Sequence, residues 1–182
     1  MSTRIKTLNP ETTTGKSKEL FDAVQKKLGF VPNLLKVLGN SPATLETYLT
    51  LGSLTEKGNF KHKVREQLAL TIAETNNCDY CLSAHSKIGS GHGLTAEEIN
   101  KNRKGTSEDA KIEALLQFTK KVTENKGVVS DADLKTFKDA GYTDEDVLEV
   151  VLNVVANTLT NYVNHIADTE IDFPVVEAGK FN

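Results

Sequence analysis

The chain has 182 residues, 38% hydrophobic and 26% charged, with a net charge of −3. This reads as an ordinary globular protein with one core and one domain over 1–182, and the scattered lysines and arginines give no basic footprint for nucleic acid. No apolar run approaches the ~18–20 residues of a membrane span, and "MSTRIKTLNPETTTGKS" lacks a signal-peptide core, so a cytoplasmic protein with no membrane partner is expected.

After a polar extension over 1–17, Leu20, Phe21, Val24 and Leu28 recur at helical intervals, and the pattern over 18–28 stops at Gly29. The stretch "GFVPN" reads as a loop. Ser41 followed by Pro42 is a start signal, a cap and then proline at the first helical position. It opens a helix to about Glu56, closed by Gly58. A further helix is expected over 61–74. Asn76 and Asn77 then interrupt the pattern, with Asn77 as the expected cap of a helix over 78–90. Thr95 and Glu98 form a capping-box pair. Helices follow over 107–125, over 131–140 between Ser130 and Gly141, and over 143–168, before an extended tail at 170–182. With no strand-like alternation, the expected class is all-α.

Shifting the chain by 83 positions matches Val64 with Val147, Glu66 with Glu149, Ala73 with Ala156 and Ala84 with Ala167. It lays Cys78, Cys81 and His85 on Asn161, Asn164 and Asp168. A degenerate internal duplication, keeping the helix pair and lacking the reactive groups, is one reading of that pattern.

Both cysteines lie in "NNCDYCLSAHSKIG". In a reducing compartment they need a purpose other than a structural staple. At ~100° per residue, Cys78, Cys81, Leu82, His85, Ile88 and Gly89 share one helical arc, while Asp79, Tyr80, Ser83, Ser86 and Lys87 take the other. Cys81 and His85 are an i, i+4 pair, so a proton can pass between imidazole and thiol. Cys78 would lie in the first helical turn, where unsatisfied N–H groups and the macrodipole favour a thiolate. In the preceding helix, Lys63, Gln67, Thr71 and Glu74 are expected to face solvent. Glu66 lies off that arc beside Ala69, Leu70 and Ala73. A carboxylate so placed suits a proton shuttle, and a hairpin at Asn76 and Asn77 would bring it to His85.

Glu66, Cys78, Cys81 and His85, spaced by eleven, two and three residues, resemble the motif of the AhpD-like alkylhydroperoxidases within the carboxymuconolactone decarboxylase superfamily. "VPNLLKVLGNSP", "CDYCLSAHSKIG" and "NYVNHIADTEIDFP" are similar to its peroxidase-related branch. The resemblance implies an all-helical, internally pseudo-symmetric fold, a homo-oligomer (trimer or hexamer) and thiol-dependent reduction of a hydroperoxide, without a bound cofactor. By that resemblance Cys81 attacks the peroxide and becomes a sulfenic acid, Cys78 condenses with it, His85 is the base and Glu66 orients it. A dithiol donor such as a lipoyl carrier or thioredoxin-like protein would restore the thiols, entering at Cys78. Tyr80 is a departure, since the characterised hydroperoxidase of that family has a histidine in this position between its cysteines; a phenol does not titrate near neutral pH.

Other readings of the same residues stay open. The cysteines could be core residues. Cys78, Cys81 and His85 could ligate zinc, with Glu66 or His165 as fourth ligand. The pair could switch state in a redox-sensing or structural oligomer without turnover, or the fold could carry a lactone decarboxylase activity. His165 either lines the same pocket as His85 or joins two helices. His62 and His92 carry no spacing signal, and the apolar faces of "VLEVVLNVVANTL" suit core and a subunit interface.

Overall fold

The computed structural model describes residues 4–181, which form nine α-helices and no strand. In chain order these are α1 (Gly15–Leu28), α2 (Asn33–Leu38), α3 (Pro42–Thr55), α4 (His62–Thr75), α5 (Asp79–Gly91), α6 (Ala96–Arg103), α7 (Ala110–Glu124), α8 (Asp131–Asp139) and α9 (Asp144–Ala167). No helix is long and apolar enough to cross a membrane among the described residues.

The starts follow local chemistry. Ser41 accepts from the backbone N–H of Thr44, with Pro42 just inside the helix. Thr95 and Ser130 form capping boxes with Glu98 and Asp133, and α1 ends where Gly29 turns to φ 82°. The loop at Gly29–Pro32 is shorter than "GFVPN", because Asn33 begins α2, a helix too brief for its periodicity to stand out. Asp109, with its carboxylate on the N–H groups of Lys111 and Ile112, starts α7 three residues later than expected.

The central element is α4, which packs against α5, α6, α7 and α9. Its Leu70 and Ala73 join a cluster around Phe21, Leu45 and Leu82, while its Leu68 and Ile72 join one around Leu115, Phe137 and Val150. Over 67–73 the helix is enclosed on all sides and has no solvent arc. Gln67 and Thr71, expected outside, are buried, and the Thr71 hydroxyl donates to the carbonyl of Asn102.

The tail closes the other side of α5. The amide N–H of Val176 donates to Ser83, and that of Ala178 donates to Asp79. The Arg103 guanidinium ties the tail down by donating to the carbonyls of Glu177 and Lys180 and to the Glu74 carboxylate. Tyr80 and Ser83 are therefore buried, although they lie on the arc opposite the cysteines. Arg103→Ala leaves the Glu74 carboxylate without its buried partner. It is expected to cost about 3–5 kcal/mol in urea unfolding and to make the tail protease-sensitive.

At the level of a helix pair, the 83-residue shift finds no counterpart. The chain turns at Asn76 and Asn77, but α9 runs unbroken through the matching positions Leu159 and Thr160.

Candidate active site

The hairpin between α4 and α5 is tight. Asn76 caps α4, Asn77 takes the left-handed conformation at φ 55°, and Cys78 caps α5. Cys78, not Asn77, is thus the cap. Its sulfur accepts the backbone N–H of Cys81 at 3.3 Å, so the helix N-terminus acts on it even more directly than a first-turn position would. The two cysteines are paired as a disulfide with Cα atoms 5.3 Å apart.

Glu66 and His85 meet as the hairpin requires, with Oε2 of the carboxylate 2.8 Å from Nδ1 of the imidazole. At Gly89 an added Cβ would lie 2.8 Å from Cδ1 of Leu94, which would have to move, and in ordinary contact 3.5 Å from Cβ of Glu66.

Two residues that sequence reasoning missed touch the Cys81 sulfur. The side-chain amides of Asn161 and Asn164, both on α9, donate to it at 3.0 and 3.3 Å. Asn76 Nδ2 donates to Asn161 Oδ1 and fixes that amide with its N–H group toward sulfur. Their only signal in the sequence was the 83-residue shift, which laid these two asparagines over the two cysteines.

A cavity of about 260 Å³ opens beside Cys81 and His85, walled mainly by apolar groups including Leu35, Tyr48, Tyr80 and Phe173. It adjoins a more polar hollow of about 320 Å³ that shares Tyr48, His85 and Thr160 and adds Arg65, Glu66, Asn153 and Asn157. Arg65 belongs to the lining of this hollow. Its guanidinium lies between Thr55 and His62 at the edge of this hollow. Burial, then the negative charge of Glu66, pushes the Tyr48 phenol above its ordinary pKa, which keeps it a neutral donor.

Tyr80 lies between the cysteines with its hydroxyl donating to Asp172 at 2.8 Å and accepting from the N–H of Leu34 at 3.1 Å. Burial raises its pKa far above neutral, and Phe173 packs edge-on against its ring. Its function here is to hold the tail and α2 against the cysteine helix.

His165 does not line the cavity of His85. Its Nε2 lies 3.1 Å from the carbonyl oxygen of Asn77, joining α9 to the hairpin. His62 and His92, without a spacing signal, stack with ring centroids 5.1 Å apart. Among the described residues no group of three or more His, Cys, Asp or Glu side chains is arranged to hold a metal ion.

Residues 42–124, which include Glu66, Cys78, Cys81 and His85, match the model of the carboxymuconolactone decarboxylase family. A 47-residue segment is 40% identical to an uncharacterized protein of Haemophilus influenzae, covering 25% of this chain and 42% of that protein. The match thus spans less than half of that relative. Over the whole fold, the alkylhydroperoxidase AhpD core of an uncharacterized peroxidase-related protein from Ralstonia eutropha superposes with a TM-score of 0.83, at 20% identity over 94% of this chain and 93% of the other. A peroxidase-related protein from Silicibacter sp. gives 0.79, at 20% identity over 100% and 98%. The debrominase Bmp8, as a cysteine-to-alanine variant in complex with 2,3,4-tribromopyrrole, gives 0.79, at 17% identity over 94% and 93%. The chain thus matches the carboxymuconolactone decarboxylase family over residues 42–124 and shares its helical fold with the AhpD-core and peroxidase-related structures.

Proposed function

We propose that the protein is a thiol-dependent hydroperoxide reductase. The observation that carries this reading is one cavity walled by both Cys81 and His85, with Glu66 bonded behind the imidazole and two amides on the sulfur. With Nδ1–H donated to Glu66, the other ring nitrogen is left basic to take the Cys81 proton. The thiolate attacks the terminal oxygen of the hydroperoxide, the O–O bond breaks, and the alkoxide leaves with a proton from His85. Cys81 is then a sulfenic acid. The Cys78 thiol attacks its sulfur and expels water, giving the observed disulfide, and a dithiol donor returns two electrons and two protons. The apolar walls suit an organic hydroperoxide.

Purified protein supplied with a dithiol is expected to consume cumene hydroperoxide over many turnovers, and Cys81→Ser to abolish this. Undiminished turnover in the variant would overturn the reading. One equivalent of disulfide without turnover would select a redox switch, and lactone decarboxylation retained without both cysteines would select that activity instead.

A second reading rests on the aromatic lining of the cavity, Tyr48, Tyr80 and Phe173 beside Cys81. By analogy with the debrominase, the same dithiol could replace a carbon–bromine bond of a small arene by carbon–hydrogen, releasing bromide as the cysteines become a disulfide. Bromide release from 2,3,4-tribromopyrrole that outpaces peroxide reduction would favour it.

We also propose a homo-oligomer. Leu148, Val151, Val155, Tyr162 and Ile166 are exposed and fall on a single stripe of α9, beside a groove lined by Val122, Val154 and Leu159. Val155→Glu is expected to reduce the sedimenting mass to that of a smaller species; an unchanged mass would rule out this face as the interface.

A further inference from the structure

Reduction of a hydroperoxide uses the apolar cavity beside Cys81 and leaves the polar hollow next to it without a purpose. The two share Tyr48, His85, Ile88 and Thr160 among their walls, so one molecule lying against His85 can occupy both.

The hollow holds a cation without a counterion. Arg65 makes no ion pair among the described residues; its guanidinium donates to two neutral acceptors, the Thr55 hydroxyl at 3.2 Å and Nδ1 of His62 at 2.8 Å. Arginine only donates, so His62 accepts through Nδ1 and its ring is neutral. Arg65 is half-buried, and a charge drawn partly out of water without a partner is costly. The N–H groups that Thr55 and His62 leave open belong to a planar fork, which matches a carboxylate through two parallel hydrogen bonds.

The carboxylates of the same hollow are already engaged. Oε2 of Glu66 lies 2.8 Å from Nδ1 of His85, and Oε1 of Glu56 lies 3.6 Å from Nζ of Lys27. A second donor is open. The Tyr48 hydroxyl makes no hydrogen bond among the described residues, and this side chain belongs to the walls of both cavities. A guanidinium and a phenol with unused N–H and O–H groups call for an anionic acceptor, joined to an apolar body that fills the cavity beside Cys81.

We infer that the substrate is a hydroperoxy acid, with its carboxylate on Arg65 and Tyr48 in the polar hollow, its hydrocarbon part against the apolar walls and its peroxide at Cys81 and His85. This rests on the hydroperoxide reading. The bonds exchanged are those already given: the terminal oxygen passes to Cys81, the O–O bond breaks, and a hydroxy acid leaves with the proton from His85. Arg65 and Tyr48 take no part in those bonds. They hold substrate and transition state alike, so their effect falls on the half-saturating concentration rather than on the limiting rate.

The test uses matched substrates that separate charge from size. Cumene hydroperoxide bearing a para-carboxylate is compared with its methyl ester, and linoleic acid hydroperoxide with its methyl ester, in stopped-flow oxidation of the reduced full-length protein. Each acid is expected to half-saturate at about tenfold lower concentration than its ester, the effect of a charge-assisted hydrogen bond. The pair with the larger ratio identifies a compact aromatic or a long-chain acid. Arg65→Gln brings the ratios to about one, and Arg65→Lys, which keeps the charge without the fork, keeps part of them. Lys27→Gln, at the wall of the apolar cavity, keeps them in full. Binding is also read without turnover: in calorimetry para-isopropylbenzoate is expected to bind the wild type about tenfold more tightly than Arg65→Gln. Acids and esters that react alike in the wild type would overturn the inference with no variant needed, as would a preference that survives Arg65→Gln or is lost in Lys27→Gln. Failure of every hydroperoxide to oxidise the cysteine pair, with the benzoate still bound through Arg65, would reject the hydroperoxide reading and leave the carboxylate site in place. Consumption of cumene hydroperoxide, with the benzoate indifferent to Arg65→Gln, would reject the site and leave that reading.

Discussion

His85→Asn is expected to slow peroxide-driven oxidation of the cysteine pair at neutral pH by about 10²- to 10⁴-fold, the range in which a positioned acid–base group contributes. Cys81 and His85 share one cavity wall, and no other imidazole does: His165 is bonded to the hairpin carbonyl of Asn77, while His62 and His92 are stacked on each other. Loss of His85 removes both the base that takes the thiol proton and the acid that protonates the departing alkoxide. Glu66→Gln keeps the ring but removes the negative charge 2.8 Å from Nδ1, so a smaller loss, about tenfold to a hundredfold, is expected. Stopped-flow rates over a pH series distinguish a chemical from a structural effect. The His85→Asn rate should climb with pH as the thiol ionises without assistance, whereas a folding defect would lower it at every pH. Equal losses in both variants would place the proton elsewhere.

The second large effect is expected at Asn161, which is fully buried with its amide on the Cys81 sulfur. A hydrogen bond to a charged acceptor contributes roughly 1.5–3 kcal/mol, and ~1.4 kcal/mol corresponds to one pH unit. Asn161→Ala should therefore move the midpoint of pH-dependent alkylation of reduced Cys81 upward by about one to two pH units and reduce the neutral-pH peroxide rate accordingly. Asn161→Asp should move it further, because a carboxylate then faces the developing thiolate. Cys78, capping its helix through the N–H of Cys81, should show no comparable change. A midpoint unmoved by either substitution would mean that the amides merely fill space beside the sulfur.

The parts of this site that are local in sequence were legible there. The Glu66–His85 contact follows from two helical periods and one turn, and Ser41, Thr95 and Ser130 start their helices because a cap is a matter of three or four residues. What was missed depends on distant chain. Asn161 and Asn164 reach Cys81 across 80 and 83 positions, and two asparagines in a long helix carry no periodic signal. Tyr80 and Ser83 lie on the polar arc of α5 but are covered by residues 172–178, and Gln67 and Thr71 are enclosed by the helices around α4. A helical wheel tells which residues share a face; it cannot tell how many faces are covered.

The central claim, that Cys81 is the sulfur oxidised by peroxide, is tested most directly in Cys78→Ser. Without its resolving thiol the sulfenic acid has no partner and accumulates, where dimedone captures it. Treatment with one equivalent of cumene hydroperoxide is expected to yield a single dimedone adduct, at residue 81 in the peptide map. The absence of that adduct, with Cys78 tagged instead in Cys81→Ser, would contradict it.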